Sequence, residues 1–176
     1  MIHVNEGDKM IHVAYIDEKF DKYLETHAEC RRRRHSNNVV AALKTSVDVV
    51  VYPELCQRTV ENVGNDSMLH RYDAVITHIP YDSMNFIHML THGLPGIVDP
   101  NNLYALSLAL LSKMRQALPD PRIIAYTGRN ARDVPDAMLH QHGADAVLRR
   151  NLDNAAEDAA ELERIITSDG SERRTA

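Results

Sequence analysis

The feature that most constrains the fold of this chain lies in residues 121–151, where two short apolar runs flank a segment of helix length. Residues 123–126 (IIAY) and 146–148 (AVL) have the composition of strands that are buried on both faces of a sheet. Two such strands joined by a helix form a βαβ unit, whose strands are parallel and whose crossover is right-handed. This stretch therefore predicts an α/β fold.

The segment between these two runs carries its own start and stop signals. Thr127 and Gly128 end the first run. Asp133 is the predicted N-cap of the following helix, with Pro135 in its first turn, where the missing N–H of proline needs no partner. Gly143 is expected just past the end of the helix.

Three earlier apolar runs repeat the pattern. Residues 10–16 (MIHVAYI), 47–52 (VDVVVY) and 72–79 (YDAVITHI) are each predicted to form a strand. Helices are expected after the first two, at residues 19–31 and 55–63. Five strands alternating with helices indicate a parallel sheet covered on both faces.

Three polar stretches are predicted to end or interrupt these helices. Four consecutive arginines at residues 31–34 suit the C-terminal end of the first helix, with contact to acidic lipid, nucleic acid or an acidic protein as the alternative. Residues 35–38 (HSNN) are interpreted as a break before a helical turn or two at residues 39–44. Residues 64–66 (GND) are expected to end the second helix.

Two amphipathic segments complete the pattern. Residues 103–117 repeat apolar side chains at three- and four-residue steps, which predicts a helix packed on the core. Residues 152–167 show the same spacing, with Asp153 or Asn154 as the N-cap.

Composition narrows the functional classes. The chain has 176 residues and a net charge of −5, so there is no overall basic field to favour nucleic acid. It has no apolar run near the roughly 20 residues of a membrane helix, and no secretory signal is visible at its start. Cys30 and Cys56 suit a reduced, cytoplasmic protein.

The second half of the chain resembles the receiver domains of two-component response regulators. The most specific similarity is the step Gly143-Ala144-Asp145 into the last strand. Thr127 falls where that family has its switch Ser or Thr, and Arg150 falls where it has a Lys. The resemblance implies a doubly wound five-stranded parallel sheet of flavodoxin-like order 2-1-3-4-5.

The first half resembles the family with one substitution. Asp17 and Glu18 fall at the acidic pair that binds Mg²⁺ in receivers, and carboxylates at a strand end suit that ion. Asp73 and four further residues lead to position 78, where receivers carry the phospho-accepting Asp. His78 stands there instead, and an imidazole cannot form an acyl phosphate.

The resemblance implies that five side chains converge at the carboxyl ends of the strands: Asp17, Glu18, His78, Thr127 and Arg150. Arg150 is expected to form a permanent salt bridge with one of the two carboxylates, because a guanidinium pairs rigidly with them. No cofactor or resident metal is expected.

Two weaker metal sites remain open. Asp17 and Glu18 are candidates for Mg²⁺. His88 and His92 are four residues apart on a predicted helix, which suits a transition metal, but no third ligand is evident.

The predicted domain covers residues 10–167 and follows an N-terminal lead at residues 1–9. It carries extended segments at residues 31–46 and 80–102, and a flexible tail follows at residues 168–176. The second extended segment is expected to cover the pocket or to form a partner surface.

The expected function is that of a pseudo-receiver, a signalling domain that acts by protein–protein contact without phosphorylation and is not an enzyme. Its partners would be regulatory proteins rather than membranes or nucleic acid, with a homodimer through the last helix, strand and helix as an option. The alternative is a flavodoxin-like enzyme or ligand-binding domain that uses the crevice around His78 as its site.

Overall fold

The computed structural model describes residues 10–17, 27–52, 55, 57–79, 103–128 and 134–168. Within them, five parallel strands form one sheet in the order β2-β1-β3-β4-β5. The strands are β1 (His12–Ile16), β2 (Asp48–Tyr52), β3 (Ala74–Thr77), β4 (Arg122–Thr127) and β5 (Ala146–Arg149). The predicted flavodoxin-like order is confirmed.

Five helices occur in the described part of the chain. They are α1 (His27–Leu43), α2 (Gln57–His70), α3 (Leu103–Ala117), α4 (Asp136–Gln141) and α5 (Ala155–Thr167). None of these helices is long and apolar enough to cross a membrane.

The core lies on both faces of the sheet because successive strand residues point to opposite sides. Val13 and Tyr15 of β1 belong to the cluster that α1 and α5 cover. Ala14 and Ile16 belong to the cluster that α2, α3 and α4 cover. The central strands are therefore buried on both sides, which is why they appear as continuous apolar runs.

The predicted break at residues 35–38 is wrong, because α1 continues through it to Leu43. His35 and Ser36 are buried at 3% and 0% exposure, and both side chains have buried partners. These contacts outweigh the weak helix propensity of Ser and Asn. The arginine run therefore lies within the helix, not at its C-terminal end.

The predicted end of the second helix at residues 64–66 is also wrong. Helix α2 passes through Gly64 and extends to His70. A Cβ built on Gly64 would lie 3.8 Å from the Cβ of Ala117 in α3, so the two helices approach closely here. Packing between helices overrides the local cost of a glycine.

The helix between β4 and β5 differs from its prediction at one end. Pro135 is its N-cap rather than a first-turn residue, and its side chain provides no hydrogen bond there. Gly143 follows the helix with φ of 111°, as its predicted place past the helix end requires. Asn154 caps α5 by accepting a hydrogen bond from the Glu157 N–H, at 3.1 Å.

Several predictions fall outside the described residues. They concern the lead at residues 1–9, Glu18 and the start of the helix at residues 19–31, the segment at residues 80–102 with His88 and His92, the cap Asp133, and the tail from residue 169.

Candidate functional site

The candidate site lies at the carboxyl ends of β1, β3, β4 and β5. Asp17 follows β1 directly, and His78 follows β3. The His78 N–H donates to the Ile16 carbonyl at 2.9 Å, and the Arg150 N–H donates to the Thr127 carbonyl at 2.7 Å. Continued sheet pairing therefore brings these residues to one edge of the sheet.

The centre of the site is the carboxylate of Asp17, which is fully buried. Its Oδ2 accepts a hydrogen bond from Arg150 Nη2 at 2.5 Å and another from Ser36 Oγ at 2.7 Å. Arg150 is itself only 4% exposed. A buried carboxylate needs both a counter-charge and hydrogen bonds, and these two side chains supply them.

His78 lies close to this pair without a hydrogen bond to it. Its Nδ1 is 3.9 Å from Asp17 Oδ1, beyond hydrogen-bond range. The imidazole is 8% exposed, so it is largely enclosed where the resemblance would place an acceptor Asp. It contributes an electrostatic contact with Asp17 only when protonated.

A second buried polar cluster adjoins Arg150 through Tyr126. The Arg150 Cζ lies 4.5 Å from the centroid of the Tyr126 ring, a cation–π contact. The Tyr126 hydroxyl donates to Asp158 Oδ2 at 2.5 Å. His35 Nε2 lies 2.8 Å from that hydroxyl and 3.0 Å from Asp158 Oδ2. We call His35, Tyr126 and Asp158 the buried triad.

The ionisation of the buried triad follows from its contacts. Burial opposes the charge on Asp158, but hydrogen bonds from His35, Tyr126 and the Asn151 N–H outweigh it and lower the pKa of this carboxyl below its ordinary value of 3.8. The pKa of Tyr126 is raised, first by burial and then by the nearby Tyr15 hydroxyl. Asp158 is therefore the anion of the cluster and Tyr126 its neutral donor.

Helix α1 joins the two clusters with consecutive residues. His35 reaches the buried triad and Ser36 reaches Asp17. Sequence reasoning missed His35, Ser36 and Asp158 as members of a site. The available signal was helical spacing that continues through the HSNN stretch from Ala28 to Val39.

Four of the five predicted site residues are described, and all four lie at this edge. His78 and Arg150 both lie close to the carboxylate of Asp17. Thr127 is 3% exposed at the end of β4, beside Arg150. Glu18 lies outside the described residues.

The metal alternatives rest largely on residues outside the described part of the chain, because Glu18, His88 and His92 all lie there. Across residues 10–17, 27–52, 55, 57–79, 103–128 and 134–168, no three His, Cys, Asp or Glu side chains are grouped as metal ligands. In the Mg²⁺ alternative, one of the two carboxylate oxygens of Asp17, Oδ2, already accepts hydrogen bonds from Arg150 and Ser36.

Comparison by sequence gives no relative. No protein-family model matches the chain, and no curated protein matches it.

Comparison by structure gives receiver domains. The response regulator DrrB of Thermotoga maritima, an OmpR/PhoB homologue, matches with a TM-score of 0.50 and 14% identity over 89% of this chain and 52% of DrrB. The chain thus spans about half the length of DrrB. A CheY-like receiver domain protein of Methanospirillum hungatei matches with a TM-score of 0.51 and 12% identity, over 89% of this chain and 94% of that one.

A further match is a CheY-like protein of Pseudomonas aeruginosa, TadZ, with a TM-score of 0.50 and 12% identity. It covers 88% of this chain and 98% of TadZ. At identities this low, the structural similarity establishes the fold alone. The chemistry has to be argued from the residues of the site. This chain therefore has the CheY-like fold of response-regulator receiver domains.

Proposed function

We propose that this chain is a pseudo-receiver: a non-catalytic domain that transmits signals by contact with regulatory proteins and does not take up phosphate on an aspartate. The buried ion pair between Asp17 and Arg150 carries the proposal. In this reading the pocket is permanently closed by protein charges, so its state does not depend on a kinase.

The chemistry of His78 supports the proposal. Receivers form an acyl phosphate, which needs a carboxylate at this position, and an imidazole has none. Phosphorylation on a ring nitrogen would require a donor to reach a side chain that is 8% exposed. The added phosphate would also lie beside the carboxylate of Asp17, a repulsive arrangement between like charges.

The position of Arg150 also supports it. A receiver lysine must be available to contact phosphate, whereas Arg150 is held by Asp17 on one side and by the Tyr126 ring on the other. Freeing it would leave the fully buried Asp17 without its counter-charge, which is strongly unfavourable.

The test of the proposal is phosphoryl incorporation. Purified protein is incubated with acetyl phosphate and Mg²⁺, and its intact mass is measured beside His78→Ala, Asp17→Asn and the surface control His140→Ala. We expect no Mg²⁺-dependent gain in mass for the wild type. A gain that is retained in His140→Ala and lost in either His78→Ala or Asp17→Asn would overturn the proposal.

The flavodoxin-like enzyme is the second candidate, and the proximity of His78 to Asp17 is what favours it. A carboxylate beside an imidazole is the arrangement that orients a general base. The separation of 3.9 Å and the low exposure of the ring provide neither the hydrogen bond nor the access that such a base needs. The pseudo-receiver is therefore the better supported function.

A further inference from the structure

We propose that the groove between α1 and the start of α5 binds an acidic segment of a partner protein. This inference rests on the proposed function, because it identifies the surface and the partner chemistry through which a non-catalytic domain would act. We call this surface the α1–α5 groove.

The α1–α5 groove is a cavity of about 260 Å³. Side chains from α1 line one side, and the turn before α5 lines the other. Its lining includes Arg31, Arg34, His35, Asn38, Leu152 and Asp153. Such a volume accommodates a few side chains of an extended peptide rather than a folded surface.

The charge of the groove favours an anionic occupant. Arg31 and Arg34 lie on the exposed face of α1 within the run of four arginines. Arg31 pairs with Asp153, and these side chains are 62% and 80% exposed. An ion pair this exposed is weak, so a carboxylate from a partner can replace Asp153 on Arg31 at little cost. The pair therefore marks where a partner carboxylate would bind.

The surroundings of the groove favour a peptide over nucleic acid or a membrane. Glu157 is exposed on the first turn of α5, and Glu161 follows one turn later. A broad polyanion that covered both helices would meet these carboxylates, and the chain as a whole carries a net charge of −5. A narrow acidic strand can occupy the groove without covering α5.

The groove also adjoins the interior of the molecule through His35. This side chain lines the groove and belongs to the buried triad, which touches Arg150 through the Tyr126 ring. The next residue, Ser36, donates to Asp17. A partner in the groove would therefore contact α1, the helix that hydrogen-bonds to both the buried triad and Asp17.

Binding is tested by fluorescence anisotropy with a labelled short glutamate-rich peptide at about 0.15 M salt. The peptide is titrated with wild type, Arg34→Glu, Arg34→Gln and the control Arg58→Glu, which reverses an exposed arginine of α2. We expect saturable binding that weakens about tenfold or more in Arg34→Glu, weakens less in Arg34→Gln, and is unchanged in Arg58→Glu. A glutamine analogue of the peptide should not bind.

Three results would overturn the inference: no saturable binding of the peptide, equal weakening in Arg34→Glu and Arg58→Glu, or tighter binding to single-stranded DNA or to anionic vesicles. Urea unfolding of each variant establishes that the compared proteins are folded. The phosphoryl assay is independent of this one. Peptide binding can therefore fail while the pseudo-receiver proposal stands, and the reverse also holds.

Discussion

At the scale of single residues, the energetics of the site centre on Asp17 and Arg150. Both are buried, and each is the counter-charge of the other. Removing one partner of a buried pair leaves an uncompensated charge, whereas replacing both by less polar groups is far less costly. The pair is therefore expected to add much less to overall stability than the loss of either partner alone would cost.

A double-mutant cycle on this pair is the first prediction. Arg150→Met alone should lower the free energy of unfolding by about 3–5 kcal/mol, because Asp17 is left charged and buried. Asp17→Asn still accepts the Ser36 hydrogen bond, and the combined variant should be destabilised by clearly less than the sum of the single changes. Urea unfolding at neutral pH measures all three.

The exposed pair of Arg31 and Asp153 provides the control cycle. Its interaction should be worth about 1 kcal/mol or less, since both side chains are exposed to water. Additive effects at Asp17 and Arg150 would show that the buried contact does not couple the two residues.

At the scale of elements, the packing around a glycine decides whether that glycine is needed, which helix propensity alone does not show. Gly64 sits inside α2, where its missing side chain meets Ala117 of α3 at an ordinary contact distance. Gly143 follows α4 with φ of 111° and lies against Arg115. The same residue type is thus optional at one position and required at the other.

Replacing each glycine by alanine should change stability in opposite directions. Gly64→Ala should raise the free energy of unfolding by about 0.5–1 kcal/mol, because alanine is the better helix former and its Cβ fits. Gly143→Ala should lower it by about 1–3 kcal/mol, since alanine would be strained at this positive φ and its Cβ would lie 2.7 Å from the Arg115 Cβ. The midpoints of urea unfolding of both variants, compared with the wild type, measure these changes. A stable Gly143→Ala would refute this account of the turn.

At the scale of the whole molecule, the buried triad ties one face of the fold together. His35 comes from α1, Tyr126 from β4 and Asp158 from α5. The three side chains lie in the same layer as the apolar cluster that α1 and α5 cover. Their ionisation therefore affects the docking of two helices on the sheet.

Acid should weaken this face of the molecule. The pKa of Asp158 is lower in the folded chain than its ordinary value of 3.8, so the unfolded chain binds the proton more readily. The stabilisation is complete above the unfolded pKa and is lost as pH falls through the folded value. Unfolding free energy should therefore decline from about pH 5 downward.

Urea unfolding between about pH 7 and pH 3 measures this decline. The slope should be shallower in Asp158→Asn, which is also less stable at neutral pH because the hydrogen bonds to the carboxylate weaken. Asp153→Asn, a change at an exposed carboxylate, should keep the wild-type slope. Equal slopes in all three proteins would show that Asp158 is not responsible.

The sequence by itself indicated five strands in a parallel sheet covered by helices, and the order 2-1-3-4-5 followed from the resemblance to receiver domains. A run such as IIAY needs burial on both faces, and few topologies provide it. The expectation that Asp17, His78 and Arg150 are neighbours also came from that resemblance, which assigned them to the ends of β1, β3 and β5. The apolar runs themselves are local signals, and a sequence carries them directly.

The tertiary structure alone decided how far α1 extends and what its polar residues bond. The stretch HSNN has the composition of a break, yet His35 is buried against partners 91 and 123 residues away and Ser36 against a partner 19 residues away. Helical spacing can indicate which face of α1 is buried, but the distant side chains that His35 and Ser36 bond are set only by the tertiary structure. The physical reason is that His35 and Ser36, once buried, hydrogen-bond to the carboxylates of Asp158 and Asp17. These bonds stabilise the helix through a stretch whose local propensity for helix is weak.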